Sequence, residues 1–430
     1  MMKKSFFKLA AVAIFLVALL TGGCGEDETS INLPPDFQRP AEDIPERISI
    51  DVYWDATYSM KGYTTLSAGN LYRTLPDILG DIGSSMGELQ CYRFGENIQL
   101  LEGREYRKFS SPDPYNELIT AVHNVIDKAD SSHLSIIVTD LFESDSDWSN
   151  VTQKLRDKYF AKHLAVAVIG IKNSFYGDIF DVGLNAAKFN YNSGENPERY
   201  RPFYLILMGS EYYINDFMEK FKERQALPNE TEYLLLSENL TDSTDDFSRL
   251  AVQELDNFFA EEKLNISDKR VKEFGLDSFN NPASFSVNFE YKQPLGACPL
   301  DMSALASNVQ VMTLNEGEWQ LKDENDVNIT LTPVEGVSNK YIAKVTLTPA
   351  KSFVEGRINF VQASLSPTSK GYKLPDWVKM WSMANVDVAP ENFDGSKTVN
   401  LIHVLGSLKD SVYATAHPSL LNINFIVDLR

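Results

Sequence analysis

Cysteine is nearly absent: three residues in 430, at positions 24, 91 and 298. So few thiols exclude a disulfide-stapled scaffold. Stability must come from core burial, for which the chain is long enough to form two or three domains. Histidine is also scarce: His123, His133, His163, His403 and His417 show no metal-ligand spacing, and His123 reads as structural. Positive charge is short too, with 40 Lys and Arg against 60 Asp and Glu, a formal net charge of −20. Such a surface repels phosphate backbones and excludes nucleic acid as a partner. Three catalytic signatures are missing: a Gly-x-Ser-x-Gly elbow, a phosphate loop ending in Gly-Lys-Ser/Thr, and His-Glu-x-x-His. The apolar run from Leu9 to Leu20 has twelve residues, short of the about 20 a membrane-spanning helix needs.

That run follows Lys3, Lys4 and Lys8 and ends in Thr21-Gly22-Gly23-Cys24, the order of a signal peptide. Small residues before a cysteine resemble the lipobox of bacterial lipoproteins. The resemblance implies loss of residues 1–23, acylation of Cys24, and a lipid-anchored protein of the cell envelope. An ordinary secretory signal or a short membrane anchor is the plainer alternative. Loss of the three lysines makes the chain more acidic still. From Gly25 to Arg47, Glu, Asp and Pro dominate, and residues 24–47 read as a solvated tether. Cys91, within Leu89-Gln90-Cys91-Tyr92-Arg93-Phe94, reads as a buried free thiol on a strand.

From Ile48, strands alternate with amphipathic helices. Ile48 to Trp54, the stretch around Cys91, Leu134 to Thr139, Leu164 to Ile171 and Tyr204 to Met208 read as strands. Between them, helical spacing relates Leu75, Ile78, Leu79, Ile82 and Met86, with Thr74 as cap and Pro76 in the first turn. The same spacing relates Leu118, Val122, Val125, Ile126 and Ala129; then Trp148, Val151, Leu155 and Tyr159; then Tyr213, Phe217 and Phe221. Near-continuous apolar strands separated by helices predict a doubly wound, mostly parallel α/β sheet over residues 48–236. In such a sheet the site lies beyond the carboxyl ends of the strands.

Informative residues fall there. Asp55-Ala56-Thr57-Tyr58-Ser59 follows the first strand, and Asp140 follows Thr139. Asp55, Thr57 and Ser59 alternate, so a tight loop can turn all three toward one hard cation such as Mg²⁺, which favours oxygen ligands. Asp-x-Thr-x-Ser in this position resembles the metal-ion-dependent adhesion site of von Willebrand factor A and integrin inserted domains. There the pattern is Asp-x-Ser-x-Ser, joined by a threonine before a later helix and by an aspartate, often in Thr-Asp-Gly. Thr139-Asp140-Leu141 matches the last motif with Leu141 in place of glycine. At the threonine position the sequence offers Asn116, with Asp113 as a second candidate. The resemblance thus implies a cation, Mg²⁺ or else Mn²⁺ or Ca²⁺, held by Asp55, Thr57, Ser59, Asn116 and Asp140. Without an ion, these residues would cap turns and satisfy loop backbone. Glu143, Asp145 and Asp147 read as a solvated acidic loop.

The polar and aromatic stretch between Ile171 and Tyr204 is longer than an ordinary loop and reads as an insertion beside the sheet. Residues 237–430 read as a β-rich, sandwich-like domain. Asp245 to Phe259 looks helical, and Phe285, Val287, Phe289 and Tyr291 alternate as a strand. Further strands are expected at Asn328 to Thr332, Tyr341 to Thr348 and Arg357 to Ser364. Leu401, Val404, Leu405 and Leu408 predict a C-terminal helix, and Ile423, Phe425 and Val427 a last strand.

The expectation is a non-enzymatic adhesion or scaffold protein whose cation is completed by an acidic side chain of a protein partner. Two other classes stay open. One is a metal-dependent phosphoester hydrolase, in which Thr57 or a metal-bound water attacks. No general acid or base is identifiable for it, and it would gain if a basic residue, of which Lys61 is the nearby one, sat beside Thr57. The other is a structural envelope lipoprotein with no ion.

Overall fold

The computed structural model describes residues 31–34, 47–66, 70–141, 145–182, 187–224, 231–240, 247–266, 268, 270–384, 393–416 and 418–430. The expected signal peptide, Cys24, Glu143 and His417 lie outside the described residues, as do the side chains of Asp145 and Asp147.

The first half runs β1 (Ile48–Asp55), α1 (Leu75–Met86), β2 (Gly87–Phe94), β3 (Ile98–Leu101), α2 (Val122–Lys128), β4 (Leu134–Thr139), α3 (Asp145–Lys158) and β5 (Ala165–Asn173). A hairpin of β6 (Tyr176–Val182) and β7 (Ala187–Asn192) follows, then β8 (Arg201–Gly209), α4 (Glu211–Arg224) and β9 (Thr231–Leu236). Seven of these strands form one sheet in the order β3-β2-β1-β4-β8-β5-β9. Alternation divides β1 between two cores: Ile50, Val52 and Trp54 face α1 and α4, and Tyr53 faces α2 and α3. The sheet is therefore covered by helices on both sides, which is why β4 and β8 are buried at every position.

The expected parallel order is corrected. Only β1–β2 and β1–β4 are parallel, while β2–β3, β4–β8, β8–β5 and β5–β9 are antiparallel. After β5 the chain turns back through the β6–β7 hairpin, and β8 runs antiparallel between β4 and β5. A near-continuous apolar run encodes burial on both faces; it carries no information about direction.

Two local expectations also change. The helix expected from Leu118 begins at Val122, and Leu118 is 84% exposed. Thr74 precedes α1, but its hydroxyl donates to the Leu71 carbonyl at 2.9 Å and makes no cap, whereas Pro76 sits in the first turn as expected.

The second half contains β10 (Val252–Asp256), β11 (Phe258–Glu261), β12 (Lys272–Leu276), β13 (Ala283–Glu290), β14 (Leu305–Asn315), β15 (Glu318–Leu321), β16 (Asn328–Pro333), β17 (Lys340–Leu347), β18 (Ile358–Pro367), β19 (Ser382–Met383), β20 (Thr398–Val399), α5 (Leu401–Ala416) and β21 (Leu421–Asp428). One sheet has the order β10-β13-β17-β16 and the other β11-β12-β21-β18-β14-β15. They face each other through aromatic side chains: Phe285 of the first lies 5.1 Å from Phe274 and 5.4 Å from Phe425 of the second, ring centre to ring centre. The helix expected over Asp245 to Phe259 is instead a 3₁₀ turn at Phe247–Arg249 followed by β10 and β11. Glu254 and Asn257 take positive φ, and the register of β10 shifts after Gln253, a bend that turns Phe258 onto Phe274.

Contacts cross the expected boundary at residue 237. Helix α5 packs on α3, and Trp377 Nε1 donates to the Tyr233 carbonyl at 3.3 Å. Part of the expected tether is also packed: Ile31 and Leu33 are buried against Val271, Phe360 and Ile426, and Ile31 bridges Ile266. Two apolar side chains hold this polar segment to the sandwich together with two hydrogen bonds, from the Ile31 amide to the Asn265 carbonyl at 3.0 Å and from Trp319 Nε1 to the Asn32 carbonyl at 2.8 Å.

Candidate functional site

Parallel pairing sets Trp54 opposite Val138, so the carboxyl ends of β1 and β4 lie level. Asp55 ends β1 and is fully buried. Its Oδ1 accepts from the Thr57 amide at 3.0 Å and from the Thr57 hydroxyl at 2.7 Å, an Asx-type turn that draws the loop back over the strand end. Its Oδ2 accepts from the Thr139 hydroxyl at 2.9 Å and from the Thr120 hydroxyl at 3.3 Å. Thr57 Oγ1 lies 3.1 Å from Ser59 Oγ, which donates to Asp140 Oδ1 at 3.4 Å. A chain of hydroxyls thus joins the two carboxylates. Of the residues expected from the sequence, Asp55, Thr57, Ser59 and Asp140 come together.

Asn116 does not join them. It is exposed, and its carboxamide oxygen accepts from Arg93 Nη2 at 2.6 Å. Its backbone has another task, since the Asn116 and Glu117 amides donate to the Ala56 carbonyl at 2.9 and 3.0 Å and the Tyr58 amide donates to Glu117. Thr120 stands at the hydroxyl position, one residue before the Ala121 N-cap of α2. The signal was present: taken from Val122, the apolar spacing puts a threonine just ahead of the helix. Leu118 sits at helical spacing from Val122 and so disguised the start. Asp113 and Lys61 are both exposed.

Leu141, where the resembled motif has glycine, takes φ 58° and is nevertheless buried. A branched side chain in the left-handed region costs on the order of 1 kcal/mol, offset here by burial of the same side chain. Its amide donates to the Thr139 hydroxyl at 3.3 Å.

Electrostatically the site sets two buried carboxylates beside one buried guanidinium. Burial, and then the neighbouring Asp140, push the Asp55 carboxyl up to about 7. Burial also raises Asp140, opposed by the nearby Arg201 guanidinium. Asp140 Oδ2 is buried without a hydrogen-bond partner, with Arg201 Nη2 3.6 Å away. Arg201, 1% exposed, was not anticipated from the sequence; it arrives because β8 runs antiparallel and begins where β4 ends. Hydroxyls that give their protons to carboxylates keep lone pairs for a cation, and the donor set of hard oxygens suits Mg²⁺ or Mn²⁺. Among the described residues, no group of three or more His, Cys, Asp or Glu side chains is placed to hold a metal. This cluster has two carboxylates and otherwise hydroxyls.

The β6–β7 hairpin, expected as an insertion, leans on the same loop. The Thr65 hydroxyl donates to the Tyr176 carbonyl at 2.8 Å, and Gly62 lies so close to the Phe175 ring that a Cβ there would overlap it. Cys91 and Cys298 are both free and buried. Among the described residues, no helix is long and apolar enough to cross a membrane.

Comparison with known proteins assigns no family: no family profile matches the chain, and no curated protein matches it significantly.

Proposed function

We propose that this protein is an extracytoplasmic binding or scaffold module, anchored by lipid on Cys24. In this reading a von Willebrand A-like site holds a divalent cation that engages an acidic residue of a protein partner. The observation that carries the reading is the meeting of Asp55, Thr57, Ser59, Thr120 and Asp140, from three separate loops, around two buried carboxylates. Asp140 Oδ2, without a hydrogen-bond partner and with Arg201 3.6 Å away, and the raised Asp55 carboxyl supply the electrostatic reason: two buried carboxylates share one guanidinium, and a cation would balance the second. Thr57, Ser59 and Thr120 would serve as hydroxyl donors, and the aspartates would bind directly or through water. The parallel β2-β1-β4 part of the sheet, with helices on both faces, supports the doubly wound family reading. The antiparallel β3, β8 and β9 are this chain's departures from a parallel order. The N-terminal residue order supports the lipid anchor and the cell-envelope location.

A second reading, a structural protein without an ion, is favoured by one observation: Arg201 already supplies positive charge beside Asp140. Calorimetric titration with Mg²⁺ and Mn²⁺ separates the two. Stoichiometric binding, lost in folded Asp55→Ala and Asp140→Ala variants, is expected. A wild-type protein that takes up neither ion overturns the cation-dependent reading. The hydrolase alternative gains no support from Lys61, which is exposed.

A further inference from the structure

Arg201 is among the largest fully buried side chains of the molecule. Its Nη2 lies 3.6 Å from Asp140 Oδ2. Nη1 donates to the carbonyls of Gly395 at 3.2 Å and Lys397 at 3.3 Å, nearly two hundred residues along the chain. Its guanidinium carbon stands 5.6 Å from the centre of the Phe175 ring, and its buried Nε has no partner. Burying a guanidinium is costly unless its charge is balanced, and Asp140 is the carboxylate placed to balance it. One side chain therefore reaches the candidate cation site, the Phe175 ring at the entry to the inserted hairpin, and the C-terminal segment Phe393–Val399.

We propose that Arg201 is the site's built-in counter-cation and that it couples occupancy of the site to the C-terminal segment around Gly395 and Lys397. When no other cation is bound, Arg201 balances Asp140 and its fork holds the two carbonyls. A divalent cation at the aspartates adds a second positive charge beside the same carboxylate. The Arg201–Asp140 attraction then weakens, and the guanidinium's grip on the segment changes with it. Linkage makes the effect reciprocal: a partner that tightens Phe393–Val399 on Arg201 lowers cation affinity, and one that draws the segment away raises it. The segment has a second tie, Tyr204 Oη to Thr398 Oγ1 at 2.8 Å, which bypasses Asp140.

The proposal rests on the cation reading for its competition half and on geometry alone for its coupling half, so the test has two arms. Hydrogen–deuterium exchange of the peptide covering residues 393–400 is compared in the wild type, Asp140→Asn, Arg201→Met and Tyr204→Phe, with and without Mn²⁺, beside Mn²⁺ affinities from electron paramagnetic resonance. Asp140→Asn is expected to speed exchange of this peptide about fivefold without any cation. Mn²⁺ has the same effect in the wild type and in Tyr204→Phe. Arg201→Met binds Mn²⁺ about tenfold more tightly than the wild type. Unchanged exchange in Asp140→Asn overturns the coupling, and this arm does not depend on how well Arg201→Met folds. Affinity in folded Arg201→Met no higher than in the wild type overturns the competition. If neither binds Mn²⁺, the cation reading falls and the exchange arm alone decides the coupling.

Discussion

The Thr120 hydroxyl lies 3.3 Å from both Asp55 Oδ2 and Thr57 Oγ1, reaching them from 65 and 63 residues away along the chain. It brings the loop before α2 to the ends of β1 and β4, and it divides the roles of two nearby residues. Asn116 fastens that loop through its backbone, and Thr120 supplies the oxygen. Thr120→Val is therefore expected to weaken Mn²⁺ binding about tenfold or more, as losing a ligand or its supporting hydrogen bond does. Asn116→Ala should leave it within about twofold, since its side chain meets Arg93 alone in the site region. Titration of both variants checks this, and the reverse ranking would contradict it.

The Asp55 carboxyl gives stability a particular pH dependence. Raised from 3.8 to about 7, chiefly by burial, it binds a proton more tightly in the folded than in the unfolded chain. Its contribution is therefore fullest below about pH 4 and is lost as pH climbs to about 7, on the order of a few kcal/mol. In EDTA, the melting temperature of the wild type should fall relative to Asp55→Asn over that range. Mg²⁺ should restore it at pH 8. Parallel profiles for the two proteins would remove this account of the carboxylate pair.

Gly62 joins the site loop to the inserted hairpin. A Cβ at this position overlaps the Phe175 ring, which is itself buried. Gly62→Ala should destabilise by about 1–3 kcal/mol, the usual cost of overpacking. Gly103, where an added Cβ meets nothing within 4 Å, is a poor control because its φ is +54°. Asp113→Ala, at an exposed position, is a better one and should stay within about 0.5 kcal/mol. Denaturant unfolding of both gives the comparison.

Burial pushes the Cys91 thiol up to about 12 and the Cys298 thiol up to about 11. The thiolate is the reactive form, so neither should label with a thiol reagent at pH 8 while the protein is folded. Both should label in guanidinium chloride. Rapid labelling of the native protein would place one of them at the surface.

Much of the architecture was legible because burial writes itself into periodicity. Val151 and Leu155 of α3 with Tyr159 just past its end, and Phe285, Val287 and Phe289 of β13, fall on the faces their spacing predicts. Strand direction was not legible: β8 reads as an apolar run whichever way it points, and its reversal is what delivers Arg201. The site was legible where its residues are close in sequence, as with Asp55, Thr57 and Ser59, or abut a strand end, as with Asp140. Thr120 was hidden by Leu118, an exposed residue that extends the helical spacing beyond the helix. The 245–259 region misled for a related reason: apolar residues around a bend fit a helical spacing, while the positive φ of Glu254 and Asn257 can be found only in three dimensions.

A cation between Asp55 and Asp140 would be seen most directly in an anomalous diffraction map from crystals of this protein grown with Mn²⁺. One strong peak is expected within coordination distance of the Thr57 and Ser59 hydroxyls, between Asp55 and Asp140. A well-ordered site with no peak there, or Mn²⁺ found only on exposed acidic side chains, would contradict it.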